Sequence, residues 1–545
     1  MHCDIRWENA RFLGLGGDPV TDQIAVSGGR IVAIGEAAAD LPARETVDLG
    51  GATAVPGLND AHFHLSYFGR QLESLYLGPG RIASLDDLYA AVEARAQLLP
   101  PGDWVLGHGY YSLDLGAHPD RHELDRRSGG RPVFLAHQCG HLAVANSAAF
   151  WAAGVDPDRP EEAPVGGEVA FDNAGSATGL LVETARELVA RALPEITLAQ
   201  QVTAIGAASS AAAAMGLTSV SEPGICAPGV LPGSRHDDLR AFQLARVAGT
   251  LNVRATVMPL IDGLQRIEES PGVWTRAGGL GAATGFGDEW LRLGPVKIIA
   301  DGSLSGRSAF VREDYEHEPG NRGLLQHRPD TLRAMMYEAD RAGWQLAIHA
   351  MGDATSELVV EILEELATIT TLADFRPRIE HFSLVDPKLV ARAAALGLVP
   401  VPQSRFIGQF GHGYRRCLGD HRVDQVFPIQ SLIAAGMYPA GSSDAPISDG
   451  DPVQGIADMV RRIAPDGRVI APAERVSVEQ ALLAYTRGSA WAEGTESWKG
   501  RLIPGHVADF TVLDRDPLAS PVEELAEIRV RATVVGGEIT FTQPA

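Results

Sequence analysis

The chain has 545 residues, of which 45% are hydrophobic and 21% charged, a composition typical of a globular protein and not of a disordered one. Its length predicts two domains or one heavily elaborated domain, and its formal net charge of −23 argues against binding to nucleic acid or anionic membranes. Four widely separated cysteines without a CxxC pair argue against a disulfide framework and a thiolate zinc site, and they lead us to expect a cytoplasmic protein (Cys3, Cys139, Cys226 and Cys417).

Both ends of the chain read as short strands separated by glycine turns. SGGRIVAIG (27–35) near the start and VGGEITFTQ (535–543) near the end each carry a Gly-Gly hairpin signal. We therefore predict one composite β-sandwich domain built from residues 1–55 and 490–545. The alternative is two unrelated β caps.

Between these ends, strand-like segments alternate with amphipathic helical segments, which predicts a parallel (β/α)8 TIM barrel over residues 56–489. An insert of about residues 66–200 separates the first two strands, and we expect it to fold over the barrel mouth because its ends join that face. The eight predicted strands are TAVPGLNDAHFH (53–64), LTSVSEPG (217–224), NVRATVMPL (252–260), LGPVKIIADGS (293–303), WQLAIHAMGD (344–353), RPRIEHFS (376–383), GLVPVPQS (397–404) and MYPAGSSDAP (437–446).

The first predicted strand ends on DAHFHL, which places His62 and His64 one residue apart. Side chains on a strand alternate with period two, so both imidazoles should point the same way and form half of a metal site. The alternative is two polar residues that end an edge strand.

Further polar residues fall at the carboxyl ends of later strands, where the chemistry of such barrels is found. Each has a structural alternative: Lys297 could pair with Asp301, the histidines could be hydrogen-bonded core residues, and Asp444 could cap a helix. Jointly these residue types on several strands favour a metal site (His62, His64, Lys297, His349, His381 and Asp444).

The types of these residues agree with the binding of divalent metal ions that activate water. Neutral imidazoles and a carboxylate suit zinc or a similar divalent ion, which lowers the pKa of bound water toward about 7. An apolar strand and nearby cations favour the neutral amine of Lys297. A neutral amine takes up carbon dioxide, and the resulting carbamate is a two-oxygen bridge for two metals.

The chain resembles the metal-dependent amidohydrolase superfamily, and within it amidohydrolase family 3, the YtcJ-like branch that includes N-substituted formamide deformylases. Six stretches carry this resemblance: PGLNDAHFHL, VKIIADGSLSGRSA, AIHAMGD, RIEHFS, AGSSDAP and HQCGHLAVANSAAF. The resemblance implies a TIM barrel with a composite β-sandwich and places His141 near the substrate. It also implies the metal ligands: His62 and His64 on the more buried ion, His349 and His381 on the second, Lys297 as the possibly carboxylated bridge, and Asp444 as both ligand and proton shuttle.

We therefore expect hydrolysis of a carbon–nitrogen amide bond in a small molecule by a metal-bound hydroxide. Asp444 would accept the proton of water and pass it to the leaving nitrogen. His141, near the substrate, is the second candidate catalytic residue. We expect no membrane partner, since no window of 18 apolar residues suggests a span, and a homodimer is a candidate assembly. The alternatives on the same fold are a cyclic-amide hydrolase, an aminoacylase or a deaminase, and outside catalysis an inactive scaffold.

A deaminase of this superfamily uses a glutamate near the fifth-strand histidine. Asp353 and Glu357 follow His349 by four and eight residues, and Glu357 should lie on the next helix. Glu380 precedes His381, and strand alternation predicts that it points away from the site. This leaves Asp444 as the expected shuttle. Tyr110, Tyr111 and His141 of the insert are pocket candidates, with packing inside the insert favoured for the two tyrosines.

Overall fold

A computed structural model describes residues 2–159, 163–226, 234–278 and 281–544 of the chain. It has the mixed α/β content that the sequence predicts. Residues 160–162 of the predicted insert lie outside the described residues. Within the described ranges, no helix combines the length and the apolar character needed to cross a membrane.

Both ends of the chain contribute strands to one seven-stranded sheet. Strand Ala43–Pro56 is its centre, because it pairs in parallel with Cys3–Phe12 and antiparallel with Phe510–Leu513. The strand order is Glu538–Thr542, Val530–Val535, Phe510–Leu513, Ala43–Pro56, Cys3–Phe12, Ile24–Ser27 and Arg30–Ile34. The domain boundaries and the sandwich description stay predictions.

The middle of the chain forms two four-stranded parallel sheets. The first has the order Leu291–Leu293, Arg254–Pro259, Leu217–Ile225 and Leu58–Asp60. The second has the order Val296–Ile299, Leu346–Ala350, Arg378–His381 and Val399–Val401. Their strands are buried on both faces, as the near-continuous apolar runs of the sequence suggest. Aliphatic side chains of both sheets share one hydrophobic core, among them Val220, Val257, Ile298 and Ile348.

The two parallel sheets are joined at two places, by a two-residue link in the chain and by an isolated β-bridge. The predicted fourth strand (293–303) is interrupted at Gly294–Pro295, where proline supplies no backbone N–H for a ladder: Leu293 ends strand Leu291–Leu293, and Val296–Ile299 is a separate strand. Beyond the split, a parallel bridge between Leu260 and Lys297 links the first sheet to the second.

The predicted eighth strand differs from the structure, which has no strand within residues 437–446 of the described chain. Its backbone still bonds to both neighbours: Ala440 N–H donates to Pro400 O at 3.0 Å, and Asp444 N–H donates to His62 O at 2.7 Å. The φ of +59° at Asp444 turns the chain out of the extended conformation at the end of this segment.

The predicted first strand also divides. Its start belongs to Ala43–Pro56 of the terminal sheet, and only Leu58–Asp60 enters the parallel sheet. His62 and His64 lie past the end of that strand, and helix Leu65–Gln71 begins directly after His64. The two histidines are therefore held by a strand-to-helix turn and not by a regular strand.

The segment between the first two parallel strands has its own six-stranded sheet. Its order is Gly167–Phe171, Ala177–Glu183, Leu142–Ala145, Val133–His137, Val105–Tyr110 and Leu75–Tyr76. A separate hairpin joins Gln265–Ser270 to Val273–Ala277. Among the described residues, the α-helices of six or more residues are Leu65–Gln71, Leu85–Leu98, Arg121–Arg127, Ser147–Ala152, Leu198–Ala214, Asp238–Val247, Pro329–Arg341, Asp353–Leu366, Pro387–Ala395, Arg405–Leu418, Ile429–Ala434, Pro452–Arg461 and Val478–Leu483.

Candidate metal centre

Three predicted ligands from distant parts of the sequence meet at one point. His62, His381 and Asp444 each offer a ligand atom, and these atoms lie within 4.8 Å of one another. His64 joins them, with its Nε2 3.2 Å from Asp444 Oδ1. Asp60 ties the first-strand turn to the Asp444 segment, because its Oδ1 accepts the N–H groups of His62 and Ser443.

Lys297 and His349 complete the group. The Nζ of Lys297 lies 3.4 Å from His62 Nε2, and the ring of His349 lies 4.3 Å, centroid to centroid, from that of His381. All six predicted ligands line one cavity of about 70 Å³. The structure thus brings together every residue that the sequence assigned to the metal site.

The free ligand atoms suit a cation. One ring nitrogen of each deeply buried histidine is hydrogen-bonded to an oxygen atom. Glu380 contacts Nδ1 of His62, Gln403 Oε1 lies 2.5 Å from Nδ1 of His381, and Gly302 O lies 3.0 Å from Nε2 of His349. The other ring nitrogen is then the one that would coordinate a cation, and that of His62, Nε2, lies among the predicted ligands, 3.4 Å from Lys297 Nζ and 3.4 Å from Asp444 Oδ1. Among the described residues, no donor bonds to the buried Oδ1 of Asp444, and a divalent cation would satisfy it.

The protonation states agree with metal binding. Burial, assisted by neighbouring cationic groups, holds the pKa values of His62, His349 and His381 well below the usual histidine range. These rings are therefore neutral and carry the lone pair that coordination requires. Burial also lowers the pKa of Lys297 to about 8, although the Glu380 and Asp444 carboxylates act in the opposite direction.

The position of Glu380 differs from the sequence prediction, in which its side chain points away from the site. Its Oε2 contacts Nδ1 of His62. The strand alternation fails here because His381 and Phe382 have φ values of +71° and +41°, so His381 turns to the same side as Glu380. Arg378 holds the Glu380 carboxylate with two N–H donors, at 2.8 and 3.0 Å. This Arg–Glu–His chain is fully buried.

We expect Glu380→Gln to weaken metal affinity by about 10–100-fold, the usual cost of losing the outer partner of a histidine ligand. The carboxylate only accepts, so it keeps the proton on His62 Nδ1 and the lone pair on Nε2, whereas an amide can present either group. Competition with a chromophoric chelator measures the affinity. Glu364→Gln, which changes a surface ion pair with Arg392, is the control. Unchanged affinity in a folded Glu380→Gln protein would contradict this role.

His141 reaches the same cavity from the insert. Its ring centroid lies 5.0 Å from that of His349, and its Nδ1 lies 2.7 Å from Glu183 Oε2. Burial raises the pKa of Glu183, but the charge and hydrogen bond of His141, together with the Arg186 charge, bring it below its ordinary value. Glu183 is not among the site residues predicted from the sequence. The signal available was a carboxylate that ends a buried strand, GLLVE.

The other candidates lie elsewhere. Tyr110 is buried within the insert with its hydroxyl 3.1 Å from His118 Nδ1, and Tyr111 packs against Phe410. Neither lines the cavity of the six ligands, in agreement with the packing role favoured for them. Asp353 and Glu357 both bond Arg312, and Glu357 lies on helix Asp353–Leu366 as predicted.

Comparisons with known proteins show the family to which the chain belongs. A family model described as the amidohydrolase family matches residues 45–541. The putative amidohydrolase YtcJ of Bacillus subtilis (strain 168) is 31% identical over 509 residues, which are 92% of this chain and 91% of that protein. The N-substituted formamide deformylase of Arthrobacter pascens is 28% identical over 555 residues, 99% of this chain and 97% of that protein.

Among solved structures, an uncharacterized metal-dependent hydrolase from Pyrococcus horikoshii OT3 matches with a TM-score of 0.73 and 25% identity, over 95% of this chain and 99% of that one. Together with the family match, this neighbour implies an α/β fold that contains a TIM barrel, and a divalent metal. The chain is therefore a hydrolase of carbon–nitrogen bonds and belongs to the amidohydrolase family, in its YtcJ-like branch.

Proposed function

We propose that this hydrolase cleaves the amide bond of a small molecule of the N-substituted amide or formamide type. The observation that carries the proposal is the convergence of six metal-compatible side chains on one cavity, where a buried oxygen of Asp444 has no hydrogen-bond donor among the described residues. The similarity to the formamide deformylase of Arthrobacter pascens, nearly end to end, supports the amide type.

The ligand set favours zinc, with two ions bridged by a carboxylated Lys297. His62, His64 and Asp444 would hold one ion, and His349 and His381 the other. When bound, such ions polarise a carbonyl oxygen and make water acidic enough to lose a proton near neutral pH.

In the proposed reaction, Asp444 carries out both proton transfers. Asp444 accepts a proton from the attacking water and then donates it to the leaving nitrogen, because one carboxylate is a base early in the reaction and an acid late in it. His141 lies at the edge of the cavity that Asp444 lines, in place to contact the substrate.

We also propose how the elements around the site are arranged and where the protein acts. The two parallel sheets and segment 440–445 would close a (β/α)8 barrel, with the insert over its mouth and a composite β-sandwich beside it. We propose a small-molecule amide as the partner, no nucleic acid or membrane, a homodimer as the assembly and the cytoplasm as the location. The four cysteines are unpaired, which fits a reducing compartment.

A substrate panel tests the proposal. The metal-loaded protein is incubated with N-substituted formamides, N-acyl amino acids, hydantoins and aminated heterocycles, and the released acid, amine and ammonia are measured. We expect acid and amine from the linear amides, at rates at least about 1,000-fold above those of an Asp444→Asn control. Ammonia from a heterocycle, with no acid from any amide, would overturn the proposal in favour of a deaminase.

A further inference from the structure

A larger cavity, the side cavity, lies beside the metal centre. It measures about 930 Å³, against about 70 Å³ for the cavity of the six ligands, and among the described residues the two cavities have no lining residue in common. Its walls come from the segment after Asp444, three helices and two strands of the insert sheet: Leu65–Gln71, Leu85–Leu98, Arg405–Leu418, Leu75–Tyr76 and Val105–Tyr110. The proposed amide hydrolysis assigns no role to this cavity.

One part of the wall of the side cavity is apolar. Phe410 is buried, Phe68 is half-buried, and the side chains of Leu72 and Tyr76 are 53% and 43% exposed. Large apolar side chains that open onto a cavity favour a ligand with an apolar body, because contact with that body removes their surface from water.

Two arginines bring positive charge to the same cavity. Arg95 is half-buried and Arg81 is exposed, and neither guanidinium has a hydrogen bond or an ion pair within the part of the chain that the structure describes. Acidic residues outnumber lysine and arginine by 69 to 46 in this chain, so two unpaired arginines on one cavity stand against its overall charge. Unpaired guanidinium groups attract an anion.

The other ionisable groups of the wall leave an excess of positive charge. Asp449 is compensated by Arg405, whose Nη2 lies 2.6 Å from Asp449 Oδ2. Burial lowers the pKa of His108 to about 4, so its ring is neutral near neutral pH. Glu73 is exposed and offsets one of the two arginines. The remaining single positive charge matches a carboxylate better than a phosphate ester, which carries nearly two negative charges.

We propose that the side cavity is a binding site for a small organic carboxylate with an apolar body. Arg81 and Arg95 hold the carboxylate, because guanidinium N–H groups form charge-assisted hydrogen bonds with its two oxygens. Leu72, Tyr76 and Phe410 contact the apolar part. The site lies outside the metal centre, so binding there requires no turnover and does not rest on the proposed amide hydrolysis.

The test is calorimetric titration of the metal-loaded protein with phenylacetate and with its uncharged analogue 2-phenylethanol. We expect phenylacetate to bind with a Kd of about 1 mM or below. The alcohol should bind at least about 10-fold more weakly, because it forms no charge-assisted pair with the arginines. Arg81→Gln and Arg95→Gln should each raise the Kd of phenylacetate by about 5-fold or more. Leu72→Ala should raise it by about 3-fold through lost apolar contact.

Arg126→Gln is the matched control, because it removes the same charge from an arginine of the insert that pairs with Glu123 and does not line the side cavity. Its Kd for phenylacetate should stay within about 2-fold of the wild-type value. Equal affinity of the wild type and the Arg81→Gln/Arg95→Gln double variant would overturn the inference and place any bound carboxylate elsewhere, for example at the metal centre. Equal affinity for phenylacetate and 2-phenylethanol, or no binding of phenylacetate up to about 10 mM, would also overturn it.

Discussion

Replacing Asp444 with asparagine should lower kcat by about three orders of magnitude or more while the protein remains folded. Asp444 is the one carboxylate among the six clustered residues, and its Oδ1 lies 3.4 Å from His62 Nε2 and 3.2 Å from His64 Nε2. An amide of the same shape neither takes the proton of water nor returns it to the leaving nitrogen. Both transfers are therefore lost in one substitution.

Three measurements on Asp444→Asn separate this role from simpler ones. Turnover on the best amide of the panel gives the loss, metal analysis shows whether the ions remain, and thermal unfolding shows whether the fold survives. Asp449→Asn is the control, because Asp449 lies five residues on in the same segment but is exposed and pairs with Arg405. Near wild-type turnover in Asp444→Asn would remove Asp444 from the mechanism.

Replacing Lys297 with methionine should reduce bound metal from two ions per chain to one or fewer and lower kcat by at least about 1,000-fold. The reason lies in the burial of its amine, which lowers the pKa of Lys297 to about 8. At pH 7.4 about a fifth of such amines are neutral, against about one in a thousand for an exposed lysine. Only the neutral amine reacts with carbon dioxide to give the bridging carbamate.

The composition of the chain makes this modification easy to observe. The sequence contains three lysines, Lys297, Lys388 and Lys499. Lys388 is exposed, and the Lys499 ammonium is held by Glu493 at 2.5 Å. Carbon-13 bicarbonate should therefore give the metal-loaded protein a carbamate resonance that Lys297→Met lacks and Lys388→Met retains. Two ions per chain without that resonance would contradict the bridge.

Much of the site could be predicted from local sequence because ligand type and position are local properties. His62 and His64 come directly after a buried strand, and His349 and His381 each come at a strand end. Residues at carboxyl ends of neighbouring parallel strands meet at one edge, so these histidines were expected to converge. The structure places them, with Lys297 and Asp444, around one cavity.

The partners of the ligands were not predictable in the same way. Strand alternation placed Glu380 on the wrong side, because it assumes a regular strand through His381, where the backbone has a φ of +71°. Glu183 lies 42 residues from His141 in the sequence, and no local spacing connects them. Such pairs form only when segments that are far apart in the chain pack together.

The sequence by itself determined the α/β class, the parallel strands other than the predicted eighth, and the family, and it named the six residues that the structure brings together, because apolar periodicity and ligand identity belong to short segments. The tertiary structure alone decided which ring nitrogen of each histidine is free, which carboxylate holds His62, and which residue of the insert holds His141. These depend on close contacts between segments far apart in the chain, such as Glu380 with His62 and Glu183 with Gln326. Burial, which sets the pKa values of the histidines and Lys297, exists only once those segments have packed together.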